Sequence, residues 1–286
     1  MTRTAAAATA FGLLMFLPAG AAQQTGASRT ALAMVSDARN RSIVDVGADD
    51  FIIQEGGQAR EVLDVRVADY PVVVMLDNGV DARMDLTAQR QAVDRFLRRL
   101  GPRSVAIGTL AAPPRMITSF DDERQAAMER LEQVEIDRSA KSALLQGTSV
   151  GADAIRSTGA LFGALVVLSS TTTDDSRGAT DEMIAPIIDS RAVLHVIANR
   201  GALIQGGTGQ IRSGGVLRSI ADQTRGAFTV IYSPSSYQAA LDRLAERLTS
   251  EMMIEYLVPL GSKPIDVKVG VRVPGARVRG LGVSPR

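Results

Sequence analysis

The chain alternates between two hydrophobic patterns. Short, continuous apolar runs such as residues 72–76 are typical of strands covered on both faces. The segments between these runs repeat apolar residues at helical spacing, as residues 86–100 do with Leu86, Val93 and Leu97 on one side. Strands that alternate with helices predict a Rossmann-like α/β fold, in which a mainly parallel sheet carries helices on both faces.

The pattern predicts six strands and six helices for this core. The strands cover residues 72–77, 104–110, 115–120, 164–169, 192–198 and 227–232. The helices cover residues 85–100, 121–134, 149–162, 179–190, 214–224 and 236–253. The last helix includes two adjacent methionines that we interpret as core residues.

Both ends of the chain carry a third pattern. Residues 30–70 contain short β-prone runs separated by polar turns, and Gly56-Gly57 fits a hairpin turn. After Pro259, valines recur at every second position from 267 to 273, as in strands with one solvated face. We expect the two end segments to pack together as a small antiparallel β unit.

These patterns divide the chain into four parts. Residues 1–22 have the layout of a secretory signal, with Arg3 followed by an apolar run that is short for a membrane span. Residues 23–70 form the N-terminal β segment, 71–258 the α/β domain and 259–286 the C-terminal β segment. We expect a periplasmic or secreted protein with no stable membrane span once the signal is cleaved.

Composition excludes several classes of function. The chain has no cysteine, which rules out disulfides, thiolate metal sites and cysteine nucleophiles. It has 32 Lys+Arg and 31 Asp+Glu, and removal of Arg3 with the signal leaves a formal charge of zero. With no Trp and 4% aromatic residues, the chain shows neither the basic excess nor the stacking platform of a nucleic-acid binder.

Several phrases, in their order and spacing, resemble the von Willebrand factor A domain, and more narrowly the secreted bacterial proteins related to it. The resemblance covers roughly residues 30 to 283. It rests on "DDFIIQEGGQAREVLDV", "VVVMLDNG" followed by "AVDRFLRRLGPRSVAIGTL", "GTSVGADAI", "ALVVLSS" and "LRSIADQTRGAFTVIYS". It implies a binding module for a protein partner rather than an enzyme.

Such domains usually hold a divalent cation in a metal-ion-dependent adhesion site. The resemblance places Asp77 at the first aspartate of that site, Gly79 and Asp81 at its two serines, Thr148 at its threonine and Ser170 at its second aspartate. Gly79 offers no side-chain oxygen, and Ser170 offers no carboxylate. The implied site is therefore degenerate, with Asp77, Asp81, Thr148 and Ser170 as the remaining candidate metal ligands and rim residues.

Two interpretations of these residues remain open. Asp81 could coordinate directly, with Asp174 or Asp175 reaching back to complete the set, in which case the protein binds Mg²⁺, Ca²⁺ or Mn²⁺ weakly. Alternatively, the protein has no cofactor, and Asp77 accepts hydrogen bonds from neighbouring loop amides.

An enzymatic alternative comes from residues 147–151, which read Gly-Thr-Ser-Val-Gly. This matches the nucleophile elbow of serine hydrolases, and Asp189 and His195 follow Ser149 in the right order. However, no strong strand precedes Ser149, His195 lies inside an apolar run, and no oxyanion-hole loop is recognisable. We therefore expect a non-enzymatic protein-binding module, with a serine hydrolase and a purely structural assembly protein as alternatives.

Overall fold

The computed structural model describes residues 26–170, 173–200 and 212–284. The strands are β1 (Gly26–Ser36), β2 (Phe51–Glu55), β3 (Gln58–Arg60), β4 (Val62–Val67), β5 (Val72–Leu76), β6 (Val105–Thr109), β7 (Arg115–Met116), β8 (Gly163–Ser169), β9 (Ala192–Asn199), β10 (Ala227–Ile231), β11 (Glu251–Pro259), β12 (Val267–Val271) and β13 (Arg277–Val283). The helices are α1 (Leu86–Leu100), α2 (Arg124–Glu132), α3 (Leu144–Ser157), α4 (Thr180–Asp189), α5 (Arg212–Gln223) and α6 (Ser236–Thr249).

The central sheet has the strand order β10-β9-β8-β5-β6-β7. All its neighbouring strands are parallel except β7, which pairs antiparallel with β6. Residues Val72, Val74 and Leu76 of β5 pack into one hydrophobic core, and Val73 and Met75 pack into another on the opposite face. The uninterrupted apolar run of β5 therefore reflects burial on both faces, and the predicted α/β class is confirmed.

The helices cover the two faces of this sheet in separate groups. Helices α1, α2 and α6 pack on the face that carries Val72 and Val74, and α3, α4 and α5 pack on the other. Because β5, β8 and β9 are adjacent and parallel, their carboxyl ends lie at the same edge of the sheet. Ligands of open α/β sheets bind at this edge.

The end segments of the chain form the predicted antiparallel unit. One sheet has the order β13-β1-β11-β4 and a second has the order β12-β2-β3, so N-terminal and C-terminal strands pair in both. In β1, Leu32 packs into the core of the α/β domain, whereas Ala31 and Ala33 face the second sheet. Gly56 and Gly57, with φ of 57° and 78°, make the hairpin turn between β2 and β3.

The predicted helix 236–253 is wrong at its C-terminal end. Helix α6 ends at Thr249, and β11 begins at Glu251. Met252 and Met253 are core residues, as expected, but they lie in a strand and face different cores. β11 has partners on both sides, β1 and β4, and this pairing overrides the helix propensity of Glu and Met.

Other predicted bounds shift by several residues. The helix predicted at 149–162 runs from Leu144 to Ser157 and so includes the whole Gly-Thr-Ser-Val-Gly phrase. The strand predicted at 115–120 shortens to Arg115–Met116. The segment 1–22 lies outside the described residues, and among the helices that the structure describes none combines the length and apolar character needed to cross a bilayer.

Glu251 is buried where the antiparallel sheet meets the α/β domain. It accepts hydrogen bonds from the Tyr70 hydroxyl and from Arg247 Nε, the latter at 3.3 Å. Burial raises the pKa of Glu251, which both hydrogen bonds oppose. These contacts fix the end of α6, and with it Arg247, against the underlying sheet.

Candidate functional site at the carboxyl edge of the central sheet

Asp77 lies directly after β5 at the carboxyl edge of the sheet and is fully buried. Its Oδ2 accepts the backbone N–H of Ser170 at 2.8 Å, and its Oδ1 accepts the backbone N–H of Gly79 at 3.3 Å. The Ser142 hydroxyl also donates to Oδ1. Both carboxylate oxygens are thus engaged by groups of the protein itself.

Burial raises the pKa of Asp77 to about 6. The hydrogen bonds from Ser142, Ser170 and Gly79 lower this pKa, and the nearby charge of Asp85 raises it. All three donors are uncharged, so they compensate only part of the cost of burying a carboxylate.

A network of buried side chains continues from Asp77 towards α1 and α6. Gln89 of α1 accepts the backbone N–H of Asp77 at 3.1 Å and donates to Ser170 Oγ at 2.6 Å. The Tyr237 hydroxyl lies 3.3 Å from both Gln89 Nε2 and Ser170 Oγ. Gln89 therefore bridges the ends of β5 and β8.

Asp85 ends this network at the start of α1. Its Oδ2 accepts a hydrogen bond from Asn199 Nδ2 at 2.8 Å and lies 3.2 Å from the Tyr237 hydroxyl. The Tyr237 hydroxyl also lies 2.9 Å from Ser169 O, so these two acceptors share its single proton. Burial raises the pKa of Tyr237, which therefore stays protonated and acts as a donor. Asn199 brings β9 into the network, so three adjacent strand ends are joined by side-chain hydrogen bonds.

Gly79 is required by the close approach of Ser142. A Cβ at position 79 would lie 2.4 Å from Ser142 Oγ and 2.8 Å from Ser142 N. Ser142 fills the space that a side chain at position 79 would need, and its hydroxyl donates to Asp77. Glycine at position 79 therefore makes room for the Ser142–Asp77 hydrogen bond.

Thr148, the implied threonine of the metal site, does not make the contact with Asp77. It lies inside α3, is fully buried and donates to Leu144 O at 2.7 Å. The hydroxyl beside Asp77 belongs instead to Ser142, which precedes α3 and forms a β-bridge with Ala111. Asp81 is exposed in a short 3₁₀ turn, Val80–Ala82.

Asp174 has a different role from the compensating ligand considered above. Its Oδ1 accepts the backbone N–H of Leu144 at 2.7 Å, and its Oδ2 accepts that of Leu145 at 3.3 Å. These are amides of the first turn of α3, so Asp174 caps that helix from a distant loop. The neighbouring Asp175 contributes its backbone N–H to Ser142 O at 2.9 Å.

The residues present do not fit a divalent cation of the adhesion-site type. Such an ion needs several oxygen ligands with free lone pairs, but the oxygens of Asp77 are engaged by Ser142, Gly79 and Ser170. Across the described ranges, no group of three or more His, Cys, Asp or Glu side chains is arranged to hold a metal.

The hydrolase residues are not assembled as a triad. Ser149 lies within α3 rather than on a turn between a strand and a helix. His195 lies on β9, 2% exposed, and neither of its ring nitrogens has a hydrogen-bond partner in the part of the chain that the structure describes. No bond therefore links His195 to Ser149 or to Asp189.

A groove of about 690 Å³ lies beside this network. Asn78 forms one wall and ties two loops together, since its Oδ1 accepts Ala111 N at 2.9 Å and its Nδ2 donates to Glu135 O at 3.2 Å. Ile117 and Val134 contribute apolar surface. The groove is therefore held in shape by hydrogen bonds of the strand-end residue next to Asp77.

The groove carries more basic than acidic side chains. Its acids are Glu135 and Asp137, and Asp137 already accepts Ser139 N at 2.9 Å and Ser139 Oγ at 2.6 Å. Its basic residues are Arg115, Arg130 and Arg138. Arg130 pairs with Asp122 at 2.7 Å, whereas Arg115 and Arg138 are exposed and form no ion pair within the described part of the chain.

No protein-family model matches the sequence, and no curated protein matches it. Among solved structures, the von Willebrand factor type A protein from Catenulispora acidiphila is similar to this chain, with 11% identity, a TM-score of 0.54, and coverage of 91% of this chain and 74% of that one. The fold is von Willebrand factor A-like. The match extends over most of the chain, including the antiparallel β unit.

Other solved structures match a smaller share of this chain. Proximal thread matrix protein 1 from the mussel byssus is 11% identical, with a TM-score of 0.51, and the match covers 75% of this chain but 50% of that one. The PilB minor pilin from Streptococcus sanguinis is 12% identical over 63% of this chain and 61% of its own, with a TM-score of 0.47. This chain thus spans half to two thirds of the length of these two proteins. At such identities the comparisons concern the fold alone.

Proposed function

We propose that this protein is a secreted or periplasmic, non-enzymatic binding module that engages a protein partner without a metal ion. The observation that carries the proposal is that the protein itself supplies three hydrogen bonds to Asp77. In a metal-dependent site this carboxylate would be a ligand, whereas here its oxygens accept hydrogen bonds from the Ser142 hydroxyl and from the backbone N–H groups of Gly79 and Ser170. The strand ends are thereby held together by hydrogen bonds within the protein.

Three of the implied rim residues, Asp77, Thr148 and Ser170, do not themselves form the contact surface. Asp77 and Thr148 are fully buried and Ser170 is 9% exposed, so a partner cannot rest on them. The groove beside Asn78 is the accessible surface at this edge. Its exposed guanidinium groups, from Arg115 and Arg138, and the apolar surface of Ile117 and Val134 suit an acidic segment of a partner protein that also carries aliphatic side chains.

Catalysis has little support in this geometry. The single histidine is buried away from Ser149, and its ring nitrogens orient no nucleophile. Residues 1–22 have the layout of a signal, which supports placement outside the cytoplasm. The neutral formal charge of the mature chain supports a protein partner rather than a nucleic acid.

The test uses a pool of fluorescein-labelled octapeptides in which Asp or Glu alternates with Leu or Ile. We expect binding that weakens with salt and falls about tenfold or more in an Arg115→Gln/Arg138→Gln variant, because charged hydrogen bonds contribute roughly 1.5–3 kcal/mol each. The matched control is Arg156→Gln/Arg177→Gln, which removes the same charge from exposed positions of α3 and a surface loop.

Two results would overturn the proposal. Equal binding by both double variants would show that the groove is not the contact surface. Covalent labelling of Ser149 by a fluorophosphonate probe would show that the protein is a serine hydrolase instead.

A further inference from the structure

His195 is the only histidine of the chain, and it lines a second cavity. This cavity lies on the face of the central sheet opposite to α3. This cavity has a volume of about 150 Å³ and lies between β9, β10 and α6. Its polar lining residues are His195, Thr229, Arg243 and Arg247.

The imidazole of His195 is buried without a partner. It is 2% exposed, and neither Nδ1 nor Nε2 has a hydrogen-bond partner among the described residues. Leaving a buried polar atom unpaired costs roughly 1–3 kcal/mol, and native proteins rarely tolerate two such atoms on one ring. A hydrogen-bond acceptor in the cavity would satisfy the nitrogen that carries the proton.

The charge around the imidazole is positive. The pKa of His195 is lowered to about 3, mainly by burial and to a smaller extent by the charges of Arg247 and of Arg279 on β13. The positive charge of Arg247 is partly balanced by Glu251, whose Oε1 lies 3.3 Å from Arg247 Nε. Arg243 is exposed and has no ion-pair partner among the described residues. The lining thus offers guanidinium donors in excess of carboxylates, together with a neutral imidazole that has one N–H to donate.

We propose that this cavity binds a small oxyanion of the phosphate or sulfate class. The imidazole N–H of His195 and the guanidinium groups of Arg243 and Arg247 would donate to its oxygens, which matches the planar donor geometry that arginine presents to such anions. The size is suitable, since a tetrahedral oxyanion takes about the space of two water molecules, roughly 60 Å³. The remaining volume admits bridging water.

The single histidine makes the site directly observable. In protein labelled with ¹⁵N-histidine, one imidazole reports on the cavity without assignment by mutation. We expect sodium phosphate or sodium sulfate to shift its signals saturably, whereas sodium chloride at the same ionic strength leaves them in place. The bound anion should also raise the pKa of the imidazole, because a nearby negative charge favours its protonated form.

Two variants of equal charge distinguish the cavity from general screening. Arg243→Gln removes an exposed donor from the cavity and should weaken the response to phosphate about tenfold. Arg156→Gln removes an exposed guanidinium from α3 on the other face of the sheet and should leave the response unchanged. Because both positions are exposed, both variants should fold.

Three outcomes would overturn the proposal. The imidazole signals could follow phosphate no further than chloride, the two variants could respond equally, or sodium acetate alone could give the saturable response. The last result would assign the cavity to carboxylates rather than to tetrahedral oxyanions. None of these outcomes bears on the groove beside Asn78, so the two proposals fail independently.

Discussion

The backbone N–H of Ser170 donates to Asp77 Oδ2 at 2.8 Å, so one carboxylate joins the ends of the adjacent parallel strands β5 and β8. In a metal-dependent domain of this fold, a cation would occupy the region between these strand ends. Here Gln89 also bridges them, by accepting Asp77 N and donating to Ser170 Oγ. Hydrogen bonds within the protein therefore join these two strand ends.

Asp77→Asn tests the cost of the buried charge. The folded-state pKa of Asp77, about 6, lies above the ordinary aspartate value of 3.8, so the folded state keeps this proton at pH values where the unfolded state loses it. The contribution of Asp77 to stability is thus fully present below about pH 4 and is lost as the pH rises through about 6. We expect the difference in unfolding free energy between wild type and Asp77→Asn to fall by about 3 kcal/mol between about pH 4 and pH 7, measured by urea unfolding.

The control for this pH series is Asp153→Asn. Asp153 is an exposed residue of α3, with 47% of its side chain accessible, so its substitution should give a difference that changes little with pH. A pH-independent difference for Asp77→Asn would contradict the raised pKa.

Gly79→Ala tests the close approach of Ser142. The new Cβ would lie 2.8 Å from Ser142 N and 3.1 Å from Lys141 C, so backbone atoms would have to move. We expect a loss of about 1–3 kcal/mol in thermal or urea unfolding. Gly215→Ala in α5, where nothing lies within 4 Å of the added Cβ, should instead stabilise the protein by up to about 1 kcal/mol. Equal effects of the two substitutions would show that Gly79 is not sterically constrained.

Asp174→Ala tests the distant cap of α3. Removing the carboxylate leaves the N–H groups of Leu144 and Leu145 without this acceptor, and helix caps of this kind contribute about 1 kcal/mol. Asp175→Ala, at the neighbouring position, should change the unfolding free energy by less than about 0.5 kcal/mol. If the two variants were equally stable, the side chain of Asp174 would not cap the helix in solution.

The sequence was sufficient to predict the order of strands and helices, because buried parallel strands and amphipathic helices have distinct periods. It was insufficient at β11, where Glu251, Met252 and Met253 favour a helix locally but lie in a strand because β1 and β4 pair with it. These pairings join residues that are far apart in the sequence, such as Ala31 with Ile254 and Val67 with Met252, which no local pattern reveals.

At the site, the resemblance implied that Asp77 and Ser170 belong to one site, and in the structure the backbone N–H of Ser170 donates to Asp77. It did not predict Ser142, because the phrase "GTSVGADAI" drew attention to Thr148. The available signal was Gly79, whose lack of a side chain leaves room for a residue from another loop. Gln89 and Tyr237 lie on predicted helices, and their buried polar ends gave no pattern in the sequence.

The most direct test of metal independence is thermal unfolding in chelator and then in Mg²⁺, Ca²⁺ or Mn²⁺, for wild type and Asp77→Ala. A cation that binds the native state at about a hundred times its dissociation constant adds roughly 2.7 kcal/mol, which would be readily detected. We predict that no cation raises the Tm of either protein, because the oxygens of Asp77 are engaged by Ser142, Gly79 and Ser170. A cation-specific rise in Tm for wild type that disappears in Asp77→Ala would contradict the account and restore Asp77 as a metal ligand.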